Sequence, residues 1–199
     1  MQNLMRMSSV AAVSIVVMSL GSPGGRPTAG ASMAGASAHY ETATFAGGCF
    51  WSLQESLRHI PGVIKTTAGY TGGAAPNPTY ETVRTGKTGH AEAVQVIFDP
   101  TRLSYGVLLD HFFQSHDPTS PRHRSDGLKL QYRSAIFYHN EEQHRIAEDV
   151  KSEISQSGKW SDPVITEITS ATVFYPAEAY HQDYLEKNSA DHTCHIPWY

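Results

Sequence analysis

Apolar residues along this chain fall into two kinds of stretch: short runs that alternate with polar residues, and longer ones with the three-and-four spacing of a helix face. Ala43-Thr44-Phe45-Ala46 alternates and predicts a strand that ends at Gly47-Gly48. Phe50, Leu53, Leu57 and Ile60 form one stripe, which predicts a helix opening at Cys49 and stopped by Pro61-Gly62. Val63 to Gly69 reads as a strand running into a glycine-rich loop, Gly69 to Pro78. His90 to Phe98 alternates as a strand and is closed by Asp99-Pro100. Ser104 is placed to cap a second helix through Val107, Leu108, Phe112 and Phe113 to His116, where Asp117-Pro118 begins a long polar loop. Tyr132 to Tyr138 predicts another strand, and Asn140 with Gln143 has the form of a capping box for a helix over Glu141 to Ser157. Val164 to Phe174 is β-rich, Pro176 opens a last helix from Ala177 to about Lys187, and the tail to Tyr199 has no periodicity.

Helices and strands alternate without an internal repeat or a dinucleotide-binding glycine fingerprint, so the pattern predicts an α+β two-layer sandwich. A 40% hydrophobic content suits a globular core. The net charge of −4 with no basic stripe argues against nucleic acid as a partner. The first 38 residues differ from the rest: Arg6 makes a weakly positive start, Val10 to Leu20 is apolar apart from Ser14 and Ser19, and small residues follow to Ala36-Ser37-Ala38. That is the form of a secretory signal and spacer over residues 1–38 ahead of a folded domain at 39–199, and the apolar run is too short to cross a bilayer. Export to the periplasm or medium is the expectation, with no stable membrane association after cleavage. Such a compartment tolerates a disulfide between the chain's 2 cysteines, Cys49 and Cys194.

Cys49 is the position with the clearest chemistry. At a Gly-Gly-to-helix junction it would lie in a first helical turn, where unpaired N–H groups and the macrodipole favour a thiolate. A buried, inert cysteine is what residue type alone predicts, and the junction with two aromatics behind it outweighs that prior. Glu92, between Ala91 and Ala93 at the start of a strongly hydrophobic strand, fits either a general acid raised in pKa by its setting or an exposed strand carboxylate.

Gly47-Gly48-Cys49-Phe50-Trp51, Gly69-Tyr70-Thr71-Gly72-Gly73, Asn77-Pro78-Thr79-Tyr80, Gly89-His90-Ala91-Glu92-Ala93-Val94 and Gln131-Tyr132-Arg133-Ser134-Ala135-Ile136 follow one another in an order that resembles the peptide methionine sulfoxide reductase A family, from about Thr44 to His195. The resemblance implies a ferredoxin-like mixed sheet with packed helices and long outer loops. It also implies thiol-dependent reduction of methionine S-sulfoxide, free or in proteins, with Cys49 as nucleophile and Glu92 as proton donor. Tyr80 and Tyr132 would hold the sulfoxide oxygen, and Phe50 and Trp51 would wall the pocket for the S-methyl group. Attack leaves a sulfenic acid on Cys49; the resemblance implies that Cys194 condenses with it to a disulfide, which a thioredoxin-like dithiol then reduces. This cycle needs no cofactor and no metal, and a monomer is expected.

Two motifs depart from the family pattern. The family's Gly-Asn-Asp-x-Gly-Thr before Gln-Tyr-Arg-Ser is replaced by Arg124-Ser125-Asp126-Gly127-Leu128-Lys129-Leu130, so the substrate-binding aspartate corresponds to Gly127 by count, with Asp126 one place early. Asp191-His192 stands where Gly-Tyr usually precedes the tail cysteine. Three rival readings remain: an exported binding domain with a structural Cys49–Cys194 disulfide; a metal module built on His181, His192, Cys194 and His195, whose spacing matches no usual zinc pattern; and a cysteine hydrolase pairing Cys49 with a histidine.

Overall fold

The computed structural model describes residues 39–120 and 130–188. Six strands, β1 (Glu41–Ala46), β2 (Val63–Thr71), β3 (Ala91–Phe98), β4 (Ala135–Tyr138), β5 (Glu167–Ser170) and β6 (Tyr175–Pro176), form one mixed sheet in the order β5-β4-β1-β3-β2-β6. All neighbours are antiparallel except β4 and β5. The helices are α1 (Phe50–Arg58), α2 (Tyr80–Val83), α3 (Tyr105–Gln114), α4 (Glu141–Gln156) and α5 (Tyr184–Lys187).

The period-two pattern sorts the sheet into two faces. Ala43 and Phe45 of β1, Ala68 and Tyr70 of β2, Val94, Val96 and Phe98 of β3 and Ile136 of β4 join one buried cluster with Phe50, Leu53 and Leu57 of α1, Leu108, Leu109 and Phe112 of α3, and Ala147 and Val150 of α4. Each large side chain in that layer contributes about 1.5–3 kcal/mol. The opposite face carries small residues, Ala46, Ala91, Ala93 and Ala135 with Phe137, against which Ala171 and Phe174 pack. This is the α+β two-layer arrangement expected.

Most boundaries fall where capping and patterning place them. Ser104 and Asn140 accept from the Val107 and Gln143 amides as N-caps. The Asn140 box is not reciprocal: the Gln143 side chain instead accepts from the His139 amide and donates to the Thr42 carbonyl, locking α4 to β1.

Three expectations are corrected. Tyr132 lies in a 3-10 turn over Leu130–Tyr132 rather than in a strand, and β4 begins only at Ala135. A short helix, α2, follows the Gly69–Pro78 loop in a stretch for which no element was expected, held by a capping box between Thr79 and Thr82. The helix expected from Ala177 to Lys187 is broken into a 3-10 turn, Ala179–His181, and the single turn of α5, with Gln182 extended and Asp183 at φ 56° between them. The physical reason is the Gln182 side chain, which accepts from the Ala68 amide and donates to the Ala68 and Ala177 carbonyls, pinning the chain to β2.

Candidate active site

β1 delivers the chain to Gly47, Gly48 and Cys49, and the two glycines serve different ends. Gly48 is at φ 82°, in the left-handed region, whereas a Cβ on Gly47 would stand 3.0 Å from the His116 and Phe112 rings. Cys49 is the N-cap of α1, one place earlier than the first-turn position expected, and is half-buried. It still lies at the positive end of the helix.

Glu92 is 2% exposed, on the helix-covered face of β3, and its Oε2 accepts from the Phe50 amide at 3.2 Å. The residue after the cysteine is thereby tied to the carboxyl group, which puts the thiol and Glu92 at the same helix end. The Gly48 amide donates to the Tyr132 carbonyl at 3.2 Å, so Tyr132 is fastened to the same turn. Arg133 braces the Leu130–Tyr132 turn through the Leu130 carbonyl. Its guanidinium donates to the carbonyls of Gly72, Gly89 and Leu130 and pairs with Glu167 at 3.2 Å; burial holds its pKa below the usual arginine value, against the pull of Glu167.

The aromatic side is built on His181, which is 1% exposed. The Trp51 indole N–H donates to His181 Nδ1 at 3.0 Å, and the Phe50 and Tyr80 rings lie 5.1 and 4.5 Å from the imidazole. Accepting at Nδ1 places the proton of a neutral ring on Nε2. Burial lowers the His181 pKa, with Glu178 opposing, so the neutral form is favoured. Trp51 also stacks on Tyr184, centroids 3.8 Å apart and planes within 9°.

Of the residues expected at the site, Cys49, Phe50, Trp51, Glu92, Tyr80 and Tyr132 are joined through these contacts. Phe50 is only 1% exposed, so it backs the site from the core while Trp51 reaches further out. Asp126 and Cys194 lie outside the described residues. His181 was expected only as a metal-ligand candidate and proves to be an aromatic hub; Tyr70, Tyr184 and Glu178 drew no expectation. Their signal is weak because each reaches the site through side-chain contacts with residues distant in the chain rather than through a pattern along it.

A cysteine at the N-cap of a helix, beside a buried carboxyl group and next to a cluster of aromatic side chains, is the arrangement of a thiol-based enzyme. Residues 41–199 match the family model described as peptide methionine sulfoxide reductase, and the chain belongs to that family. It is 48% identical over 158 residues to the peptide methionine sulfoxide reductase MsrA of Methanoculleus marisnigri, covering 79% of this chain and 96% of that one. The reduced form of Mxr1 from Saccharomyces cerevisiae superposes with a TM-score of 0.70 at 32% identity, over 78% of this chain and 89% of that one. Mxr1 in complex with Trx2 gives a TM-score of 0.52 at 25% identity, over 73% and 84%. The protein is thus an oxidoreductase, a methionine sulfoxide reductase of the MsrA type.

Proposed function

We propose that the chain reduces the S epimer of methionine sulfoxide, free and in proteins, with Cys49 as nucleophile. The observation that supports this reading is the Phe50 amide held on Glu92, which brings the carboxyl group to the helix end where Cys49 lies. The Cys49 thiolate attacks the sulfoxide sulfur while Glu92 gives a proton to the departing oxygen. The attack forms an S–S bond, and the S–O bond breaks as the oxygen takes up protons and leaves as water. A water then attacks the Cys49 sulfur, breaking the S–S bond to release methionine and leave a sulfenic acid and a proton. Phenol donors of Tyr80 and Tyr132 hold the oxygen as charge develops on it. Trp51, fixed by His181 and Tyr184, receives the methyl group.

Cys194 then condenses with the sulfenic acid, releasing water and forming a disulfide; a thioredoxin-type dithiol reduces it by exchange and takes up the disulfide itself. The Mxr1–Trx2 complex supports such a partner. The leader over residues 1–38 directs export, so the substrates are oxidised methionines of periplasmic or secreted proteins, and the enzyme acts as a monomer. A family match that begins at residue 41 is consistent with a leader of separate purpose.

The test uses the two separated epimers of a dabsylated methionine sulfoxide. Wild type consumes the S epimer alone with dithiothreitol or thioredoxin, and Cys49→Ser consumes neither. Cys194→Ser completes one turnover without recycling by thioredoxin. Normal thioredoxin cycling in Cys194→Ser contradicts the resolving role, and activity in Cys49→Ser contradicts the whole reading.

A further inference from the structure

Glu178, in the extended segment before the Ala179–His181 turn, touches three parts of the site yet has no part in the chemistry above. Its Oε1 accepts from the Tyr80 amide at 3.0 Å and its Oε2 from the Tyr70 hydroxyl at 2.9 Å, and His181 Nε2 lies 4.0 Å from Oε2. Tyr70 stands directly opposite Glu92 in the β2–β3 ladder, so both side chains lie on the helix-covered face. We infer that Glu178 is a positioning residue for the reduction: one carboxylate holds the Tyr80 backbone and the Tyr70 phenol together, and so sets the Tyr80 phenol relative to Glu92. This rests on the roles proposed for Cys49, Glu92 and Tyr80.

The need for such a clamp follows from local structure. Tyr80 is the first residue of α2, which has 4 residues and is too short to hold its own orientation. The Thr79–Thr82 box satisfies the Thr79 and Thr82 amides. The Tyr80 amide belongs to the first turn of a helix, whose donors find no acceptor within the helix itself, and Glu178 is the acceptor that reaches it across the fold. A bond to an ionised acceptor is roughly twice as strong as a neutral one. Burial works against ionisation of Glu178, but the bonds from the Tyr80 amide, its own amide and the Tyr70 hydroxyl, with His181 nearby, outweigh it and hold the carboxyl below its usual range. Burial first, then the bond to Glu178 and its charge, push the Tyr70 phenol well above its usual pKa, so it remains a donor.

The test compares wild type, Glu178→Ala and Glu178→Gln by two readouts. The first is the single-turnover rate of S-sulfoxide reduction as a function of substrate concentration, which separates the chemical step from binding. The second is hydrogen exchange at the Tyr80 amide, followed by NMR. In Glu178→Ala the chemical step slows by about 10–100-fold, the scale of a misplaced catalytic group, with substrate affinity within about twofold of wild type and the Tyr80 amide deprotected. Glu178→Gln keeps an acceptor for that amide and restores both readouts to within about threefold. A purely structural strut would lower melting temperature and leave the chemical step of the folded protein unchanged. An unchanged chemical step, or a Tyr80 amide as protected in Glu178→Ala as in wild type, overturns the inference. A wild type that reduces neither epimer overturns the proposed function instead, and the exchange readout still decides whether Glu178 holds Tyr80.

Discussion

Two regions meet at this site and are built by different means. In the cradle of Cys49, backbone amides at the start of α1 do the holding: β1, the glycine turn and α1 stand against β3, with the Phe50 amide on the Glu92 carboxyl group and the Gly48 amide on the Tyr132 carbonyl. The segment from Ala177 to Lys187 is held by side chains, with Gln182 pinned to Ala68, the Asp183 amide donating to Gln54, His181 accepting from Trp51 and Glu178 spanning Tyr70 and Tyr80. The cradle places the reacting atoms, while the side-chain-pinned segment shapes the pocket around them. Damage to the first should appear in chemistry at intact fold; damage to the second should appear in local order, and in chemistry only through Glu178, which reaches Tyr80.

Glu92→Gln gives the largest contrast. The amide still accepts from Phe50 but supplies no acidic proton, so the chemical step should fall about 10²–10⁴-fold with melting temperature little changed, as stopped-flow single turnovers and calorimetry would report. Tyr80→Phe and Tyr132→Phe each remove one donor to the developing oxygen charge and should slow the same step by up to about 10²-fold, without loss of Cys49 alkylation. If either phenylalanine variant reacted as fast as wild type, that phenol would have no part in holding the oxygen.

Gln182→Ala acts on the other region. It strips 3 hydrogen bonds from the Ala68 and Ala177 backbone, at a cost of about 1–3 kcal/mol. Exchange should rise selectively over residues 177–188 while the amides of α1 and β3 stay protected. Uniform destabilisation would show that the two regions are one cooperative unit.

The smallest effect is a pH dependence. The His181 pKa is lowered in the folded protein by burial, so the unfolded chain binds its proton first as pH falls. His181 therefore contributes stability that is present above the ordinary value of 6.5 and is lost as pH drops toward the lower folded value. His181→Asn should flatten the melting-temperature profile between about pH 5 and 7, where an unperturbed histidine titrates. An unchanged profile would assign acid sensitivity to other groups, His139 among them, whose pKa burial also lowers.

The contrast between the regions also explains what could be read from the chain. The strand before Gly47, the helix after Cys49 and the Ser104 and Asn140 caps follow from punctuation and periodicity over a few neighbouring residues. Cys49 and Glu92 could be singled out for the same reason, and the ordered motifs supplied their likeness to a reductase. The segment after Pro176 misled because Ala177, His181 and Leu185 are all buried at a spacing of four, which imitates a helical stripe. Nothing nearby in the chain reveals that Gln182 prefers the Ala68 backbone, more than a hundred positions away, to the helical hydrogen bonds that it forgoes. His181 and Glu178 stayed hidden likewise, since their partners Trp51, Tyr70 and Tyr80 come from distant elements.

The central claim is that the thiol at the start of α1 is oxidised to the sulfenic acid. The most direct measurement mixes Cys194→Ser with one equivalent of methionine S-sulfoxide, without reductant, and traps the product with dimedone for peptide mass spectrometry. One methionine per protein and an adduct confined to the peptide holding Cys49 are the predicted result. Methionine released with Cys49 unmodified would contradict it.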